Sequence, residues 1–177
     1  MQKFAKNMLI ALVICLCFTA CGRNLVADVP DTYPALQEGD SMRDFTATLV
    51  DGSTFTLSDH KGKVILLNFW ATWCGPCVGE MPAFPRLVEQ FGDDLVLIAV
   101  NCNESKQIVS KFLLDNSYTF PVALDPDDAV SDLYPTDGIP YTVLFDKDGN
   151  AAHITIGAQD AETMYNYYHG LIEELLG

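Results

Sequence analysis

Two cysteines separated by two residues follow an apolar run, in the segment NFWATWCGPC at residues 68–77. Such a pair, here Cys74 and Cys77, can form a structural disulfide, half of a metal site, or a dithiol that opens and closes during catalysis. Closing so small a loop removes little entropy from the unfolded chain, which disfavours a stabilising role. Tetrahedral zinc needs further ligands, and the sequence has no second CxxC and no HxxxH. The pattern favours a redox pair, and we expect no metal and no cofactor.

The elements that must position the pair also predict which sulfur reacts. The apolar run at 63–70 predicts a buried strand, and apolar residues spaced by three and four over 74–91 predict a helix that begins at the cysteines. Cys74 then lies at a helix N-terminus, where free N–H groups stabilise a thiolate. We predict that Cys74 attacks the substrate disulfide and that Cys77 resolves the mixed disulfide. Pro76 suits the first helical turn, because its missing N–H costs nothing there.

Trp73 and Cys102 are two further residues that bear on the chemistry of the pair. Trp73 either packs beside the sulfurs and shields them or belongs to the core, and the sequence does not separate these alternatives. Cys102, at the end of the next predicted strand, has no evident partner. We expect it to be a buried, unreactive thiol.

The remaining chain alternates predicted strands and helices, and the final elements are a hairpin and a helix. The elements predicted outside the cysteine region are a hairpin turning at Asp51-Gly52, a strand at 95–100, a helix at 105–116, a strand at 122–124, a helix capped by Asp127, a hairpin turning at Asp148-Gly149 and a helix at 161–176. Pro82 and Pro85 should kink or restart the helix that follows the cysteines. This order predicts an α/β domain with a mixed central sheet flanked by helices.

The sequence resembles the thioredoxin-fold thiol-disulfide oxidoreductases of the TlpA/ResA kind. The resemblance rests on VILLNFWATWCGPC at 64–77, GIPYTVLFDKDG at 138–149, and Gly157. It extends from about Gly39 to the C-terminus and includes a segment inserted before the last hairpin. A lone CxxC would be weak support, whereas these motifs together are specific. The resemblance implies a thioredoxin-like fold with an N-terminal β-hairpin, in which the two cysteines are the redox pair.

The resemblance also implies a substrate-binding surface. Ile139-Pro140 corresponds to the family's cis-proline turn, which lies opposite the cysteines and presents the backbone of Ile139 to an incoming peptide. Composition alone would make Pro140 only a turn residue, because cis X-Pro bonds are a small minority. Together with Trp73 and Pro76, these residues form the predicted substrate-binding set.

A predicted proton acceptor completes the site. Asn68 occupies the position of the buried aspartate of cytoplasmic thioredoxins, and Glu80 occupies the position of a glutamate found in the ResA-like branch. A carboxylate on the helix face of Cys77 can accept the resolving thiol's proton if burial raises its pKa. The alternative is a solvated helix glutamate. We therefore name Cys74, Cys77 and Glu80 as candidate catalytic residues.

The N-terminus predicts export and a lipid anchor. Residues 1–20 contain two lysines and an apolar run at 8–18 that is short for a membrane span, which is typical of a secretory signal peptide. The residues that end in Cys21, Phe-Thr-Ala-Cys, resemble a bacterial lipobox, in which the cysteine receives the lipid. The alternatives are an ordinary secreted chain cut after Ala20 and an uncleaved anchor. We predict an extracytoplasmic protein that is lipid-anchored to the cell membrane at Cys21.

Behind the predicted anchor, residues 21–38 are expected to form a tether and residues 39–177 the thioredoxin-like domain. Removal of the signal peptide would leave 8 basic and 24 acidic residues, a net charge of −16. This charge disfavours nucleic acid as a partner and should hold the domain away from anionic lipid. We expect a monomer.

These observations lead to a functional hypothesis with two rivals. We predict an oxidoreductase that exchanges disulfides with exported proteins and reduces them, as the resemblance implies, since relatives reduce the haem-site cysteines of apocytochrome c. A membrane electron donor of the CcdA or DsbD kind would recharge it. One rival is a peroxiredoxin-like peroxidase, but Ala71 stands where that group has Thr. The other is a copper-delivery module of the SCO type, which would space its cysteines by three residues and use a distal histidine; His153 lies in a predicted hairpin strand.

Overall fold

The apolar run before the cysteines forms the central strand of the sheet. In this computed structural model, which describes residues 32–177, the strand spans Val64–Trp70, and no residue in it is more than 2% exposed. Successive side chains of a strand point to opposite faces of the sheet, so an unbroken apolar run requires both faces to be covered. The predicted signal peptide, Cys21 and most of the predicted tether lie outside the described residues.

Seven strands and four α-helices are present in residues 32–177. The strands are β1 Thr46–Thr48, β2 Thr54–Thr56, β3 Val64–Trp70, β4 Leu95–Cys102, β5 Val122–Asp125, β6 Tyr141–Phe145 and β7 Ala151–Ile156. The α-helices are α1 Gly75–Glu80, α2 Ala83–Phe91, α3 Lys106–Asn116 and α4 Ala161–Leu176. No helix in this part of the chain is both long and apolar enough to cross a membrane.

The strands form two sheets. The main sheet has the order β5-β4-β3-β6-β7; β3, β4 and β5 are parallel to one another, β6 is antiparallel to β3, and β7 is antiparallel to β6. The predicted N-terminal hairpin is present as the pair β1-β2. The register sets Asn68 beside Thr142 on the neighbouring strand. This arrangement confirms the predicted mixed sheet and thioredoxin-like fold.

The helix that follows the cysteines is divided, as the prolines predict. The helix α1 ends at Glu80 and α2 begins at Ala83, so the break includes Pro82. Pro82 lacks the N–H that would continue the helical hydrogen bonding. Pro85 does not interrupt α2, because it lies in the first turn, where helical N–H groups have no partner within the helix.

The inserted segment contains the strand β5 as predicted, but the helix predicted to be capped by Asp127 is wrong. Only a short 3-10 turn forms there, at Ser131–Leu133. The buried carboxylate of Asp125 accepts hydrogen bonds from the backbone N–H of Val130 at 2.9 Å and of Ser131 at 2.8 Å. Side-chain acceptance of this kind competes with helix formation, and the nearby prolines leave little room for one.

Apolar clusters cover both faces of the main sheet. One cluster lies between the sheet and the helices and contains both cysteines of the pair, and the other lies beneath the β1-β2 hairpin. The second cluster includes Leu36, 4% exposed, so packing reaches back into the predicted tether. On α4, Met164 and Tyr168 are buried, while Leu171 is only half-buried.

Candidate active site

The disulfide between Cys74 and Cys77 closes the turn that connects β3 to α1. The two Cα atoms are 5.2 Å apart. Cys74 is the N-cap residue of α1, and the backbone N–H of Cys77 lies 3.2 Å from the Cys74 sulfur. Cys74 retains 5% exposure and Cys77 none. The first sulfur is therefore the one that a partner can approach, and its neighbour is reached only through it.

The Ile139-Pro140 peptide bond is cis and lies against the redox pair. The Cys74 sulfur is 3.6 Å from the Ile139 carbonyl oxygen, although 65 residues separate them in the chain. Pro140 is buried directly before β6, while Ile139 is half-buried. The β6 strand thus brings this turn to the accessible sulfur.

Trp73 and Pro76 lie on the outer surface beside the disulfide. Trp73 is 72% exposed, and Pro76 is also exposed. Trp73 is therefore not a core residue, and its ring is available to a partner that approaches Cys74. A large exposed aromatic side chain is typical of a binding surface.

Glu80 lies on the opposite, inner side of the pair, one turn after Cys77. Its side chain is fully buried, so the alternative of a solvated helix glutamate is wrong. Burial raises the pKa of Glu80 from 4.5 to about 7, against hydrogen bonds from Tyr168 and Asn68 that lower it. A carboxyl with a pKa near neutrality can both take and release a proton under ordinary conditions.

The predicted site lacks Tyr168, which contacts this carboxyl directly, and Thr142, which contacts the carboxyl's partners Asn68 and Tyr168. Thr142 on β6 and Tyr168 on α4 meet Glu80 and Asn68 in the interior. The sequence pattern places Tyr168 inward, but it offers no reason to separate a hydroxyl that contacts Glu80 from ordinary core packing. Thr142 is the second residue after Pro140, and alternation along β6 is the only signal that could have found it.

Glu104 anchors the loop that precedes Cys74. Its carboxylate accepts hydrogen bonds from the Thr72 N–H at 2.7 Å, the Thr72 hydroxyl at 2.5 Å and the Asn101 amide at 2.8 Å. No motif in the sequence marks this glutamate. The contacts tie the end of β3 to the end of β4, and so fix the position from which Trp73 and Cys74 project.

Cys102 ends β4 and packs against the apolar cluster beneath the β1-β2 hairpin, whereas the disulfide belongs to the cluster between the sheet and the helices. Its thiol is free and half-buried, and burial raises its pKa to about 11. The Ser131 hydroxyl lies 3.7 Å from its sulfur. A thiol with so high a pKa is almost wholly protonated at neutral pH, which agrees with the expectation that it is unreactive.

Comparison with known proteins gives a consistent set of relatives. The family model described as "AhpC/TSA family" matches residues 39–154. The thiol-disulfide oxidoreductase ResA of Bacillus subtilis is 33% identical over 173 residues, covering 97% of this chain and 94% of the relative.

Solved structures show the same likeness. A chain assigned as the thiol:disulfide interchange protein DsbE of Chlorobium tepidum superposes with a TM-score of 0.74 at 30% identity, covering 81% of this chain and all of that one. The exposed lipoprotein thioredoxin Etrx1 of Streptococcus pneumoniae gives a TM-score of 0.63 at 28% identity, covering 72% of this chain and 99% of the other.

Proposed function

This chain belongs to the AhpC/TSA family and is a thiol-disulfide oxidoreductase of the ResA kind, and we propose that it reduces disulfides of exported proteins from a lipid-anchored, extracytoplasmic position. The observation that carries the proposal is the Cys74–Cys77 disulfide, with its more accessible sulfur beside the Ile139 carbonyl. A peptide lying along Ile139 would bring its own disulfide to Cys74.

The proposed reaction starts from the dithiol form. The Cys74 thiolate attacks one sulfur of the substrate disulfide, the substrate S–S bond breaks, and the departing thiolate takes up a proton. Cys77 then gives its proton to the Glu80 carboxylate and attacks the Cys74 sulfur. The mixed disulfide breaks, the second substrate thiol leaves, and the Cys74–Cys77 disulfide remains. Two electrons have passed from the protein to the substrate, and a donor must return them.

Substitution of each cysteine tests the proposed roles. Cys74→Ser should abolish turnover of a model protein disulfide, because the attacking sulfur is lost. Cys77→Ser should accumulate a mixed disulfide between Cys74 and the client, visible on a non-reducing gel. Cys102→Ser is the matched control and should leave turnover unchanged. Turnover that survives in Cys74→Ser would refute the proposal, and peroxide consumption or tight copper binding by the intact protein without disulfide turnover would favour the rivals.

The direction of exchange is tested by the midpoint potential of the pair. A value of about −250 mV or lower supports a reductant, whereas one near about −120 mV would identify an oxidant. The residues between the cysteines, Gly75 and Pro76, match reducing thioredoxins, but direction depends on the potential relative to the compartment.

The proposed location has support of its own. The predicted signal peptide ends at Ala20 and the lipobox at Cys21, and the similar protein Etrx1 is described as an exposed lipoprotein. We propose that a membrane donor of the CcdA or DsbD kind recharges the pair and that the clients include apocytochrome c. Cells fed labelled palmitate should label the wild-type protein but not Cys21→Ala; a wild-type protein without label would refute the anchor.

A further inference from the structure

Four buried side chains from four separate elements close a ring of hydrogen-bond contacts around Glu80. Asn68 Nδ2 lies 3.0 Å from Glu80 Oε1 and 2.9 Å from Thr142 Oγ1. Tyr168 Oη lies 3.0 Å from Glu80 Oε2 and 3.1 Å from Thr142 Oγ1. All four side chains are at most 2% exposed. The four groups are therefore shielded from bulk water, and the contacts within the ring supply most of their hydrogen bonds.

The hydrogens can be assigned when Glu80 is ionised. The Asn68 amide nitrogen only donates, so it supplies one hydrogen to Glu80 and the other to Thr142. The Tyr168 hydroxyl then donates to Glu80, and the Thr142 hydroxyl donates to Tyr168. Each of the four contacts has one donor and one acceptor.

Protonation of Glu80 exchanges donor and acceptor in two of the four contacts, those that involve Tyr168. With the Asn68 amide in the orientation of the structure, Oε1 faces a pure donor, so the added proton lies on Oε2 and points to Tyr168. The Tyr168 oxygen becomes an acceptor, its own hydrogen rotates to Thr142, and the Thr142 hydrogen rotates out of the ring. Only the hydroxyl groups of Tyr168 and Thr142 can change from donor to acceptor in this way.

We propose that Tyr168 is a positioning residue that follows the protonation of Glu80, donating to the carboxylate and accepting from the carboxylic acid. The inference rests on the proposed function, in which Glu80 receives the proton of Cys77. One proton enters the ring, from the Cys77 thiol. Tyr168 and Thr142 keep their own hydrogens and only rotate them, so no further proton or electron is required.

Besides burial, the groups that affect the pKa of Glu80 belong to this ring. Among the residues that the structure describes, Tyr168 from α4 and Asn68 from β3 form hydrogen bonds with Glu80, and β6 contributes the uncharged Thr142, which contacts both of them. No charged side chain of these residues contributes to the shift in the pKa of Glu80. Burial and the nearby Glu80 both raise the pKa of Tyr168, so its phenol stays protonated throughout. A hydrogen bond to a charged acceptor is about twice as strong as one between neutral groups. Tyr168 therefore favours the carboxylate over the acid.

The test follows the Glu80 carboxyl by carbon-13 NMR in the disulfide form, with its signal assigned by its loss in Glu80→Gln. The wild type should titrate near pH 7. In Tyr168→Phe the midpoint should rise by about one pH unit, because the charge-assisted bond is lost. Tyr167→Phe is the matched control, since among residues 32–177 its hydroxyl bonds to Thr155 and to no member of the ring. Its midpoint should equal that of the wild type.

A wild-type measurement covers the case in which Tyr168→Phe does not fold. With carbon-13 at the tyrosine Cζ, the Tyr168 signal should move through the same midpoint as Glu80, although the phenol never ionises. An unmoved Tyr168 signal, or a midpoint in Tyr168→Phe equal to or below that of the wild type, would overturn the inference. The proposed function is judged separately by Cys74→Ser turnover, so either can fail while the other stands.

Discussion

Opposing effects of the surroundings set the pKa of Glu80 at about 7. Burial disfavours the charge and raises the pKa, while hydrogen bonds from Tyr168 and Asn68 favour the charge and limit the rise. The folded protein therefore binds this proton more tightly than the unfolded chain does. The stabilisation is fully present below about pH 4.5 and is lost as the pH rises through about 7.

Glu80→Gln should consequently show a pH-dependent gain in stability. Glutamine resembles the protonated side chain, so the two proteins should be similarly stable at pH 4.5. At pH 8 the variant should be the more stable by roughly 3 kcal/mol, from a pKa difference of about 2.5 between folded and unfolded states. Urea unfolding of the disulfide forms at both pH values measures the difference. A gap that does not change with pH would contradict the assigned burial.

Trp73 contributes exposed aromatic surface beside Cys74 and little to the core. Trp73→Ala should raise KM for a protein client by about tenfold, while the free energy of unfolding changes by less than about 0.5 kcal/mol. Leu114→Ala is the control, because Leu114 is equally exposed but lies at the far end of α3. Steady-state kinetics and urea unfolding separate the two effects. An unchanged KM would remove Trp73 from the binding surface.

At the scale of the elements, the redox turn, which connects β3 to α1 and carries Cys74, is held in place by Glu104, just after the end of β4. The Glu104 carboxylate ties Thr72 to Asn101, and so joins the ends of two neighbouring parallel strands. The loop that carries Trp73 and Cys74 thus has its position set by a residue from another element. A redox turn needs this restraint, because α1 has only six residues and contributes few helical hydrogen bonds of its own.

Glu104→Ala should loosen this turn. Three hydrogen bonds to a charged acceptor are lost and the Thr72 N–H is left without a partner, so we expect a destabilisation of about 2–3 kcal/mol. Amide hydrogen exchange at Thr72 should accelerate, and disulfide exchange should slow. Asp115→Ala is the control, since it removes only an exposed ion pair with Lys111 and should cost less than about 0.5 kcal/mol. Equal effects of the two changes would contradict the anchoring role.

At the scale of the whole molecule, the site is assembled from segments that are distant in the sequence. Local patterns predict β3, α4 and the CxxC turn because apolar periodicity and turn residues are local signals. The contacts of Thr72 with Glu104 and of Glu80 with Tyr168 span 32 and 88 residues, and no local pattern encodes them. The helix expected after Asp127 is absent for a different, local reason, since the Asp125 carboxylate bonds backbone N–H groups of Val130 and Ser131 that a helix would have used.

The net charge of the chain, −14, should influence which substrates approach the disulfide turn. In the dithiol form, the protein should reduce cystamine, a dication, faster than dithiodiglycolate, a dianion, by about tenfold at low ionic strength. In 1 M salt, where charges are screened beyond about 3 Å, the ratio of the cystamine rate to the dithiodiglycolate rate should fall towards the ratio measured with free dithiothreitol. Stopped-flow rates across a salt series measure it. A ratio insensitive to salt would show that the overall charge does not steer substrates.

The two tryptophans of the sequence lie in opposite environments, Trp70 fully buried beneath the redox turn and Trp73 largely in water. Indole emits at shorter wavelengths in an apolar interior than in water, so the fluorescence spectrum should contain a blue component from Trp70 and a red one from Trp73. A client that covers Trp73 would quench or shift only the red component. The protein therefore carries its own optical reporter of docking, and encounters can be timed without attaching a dye.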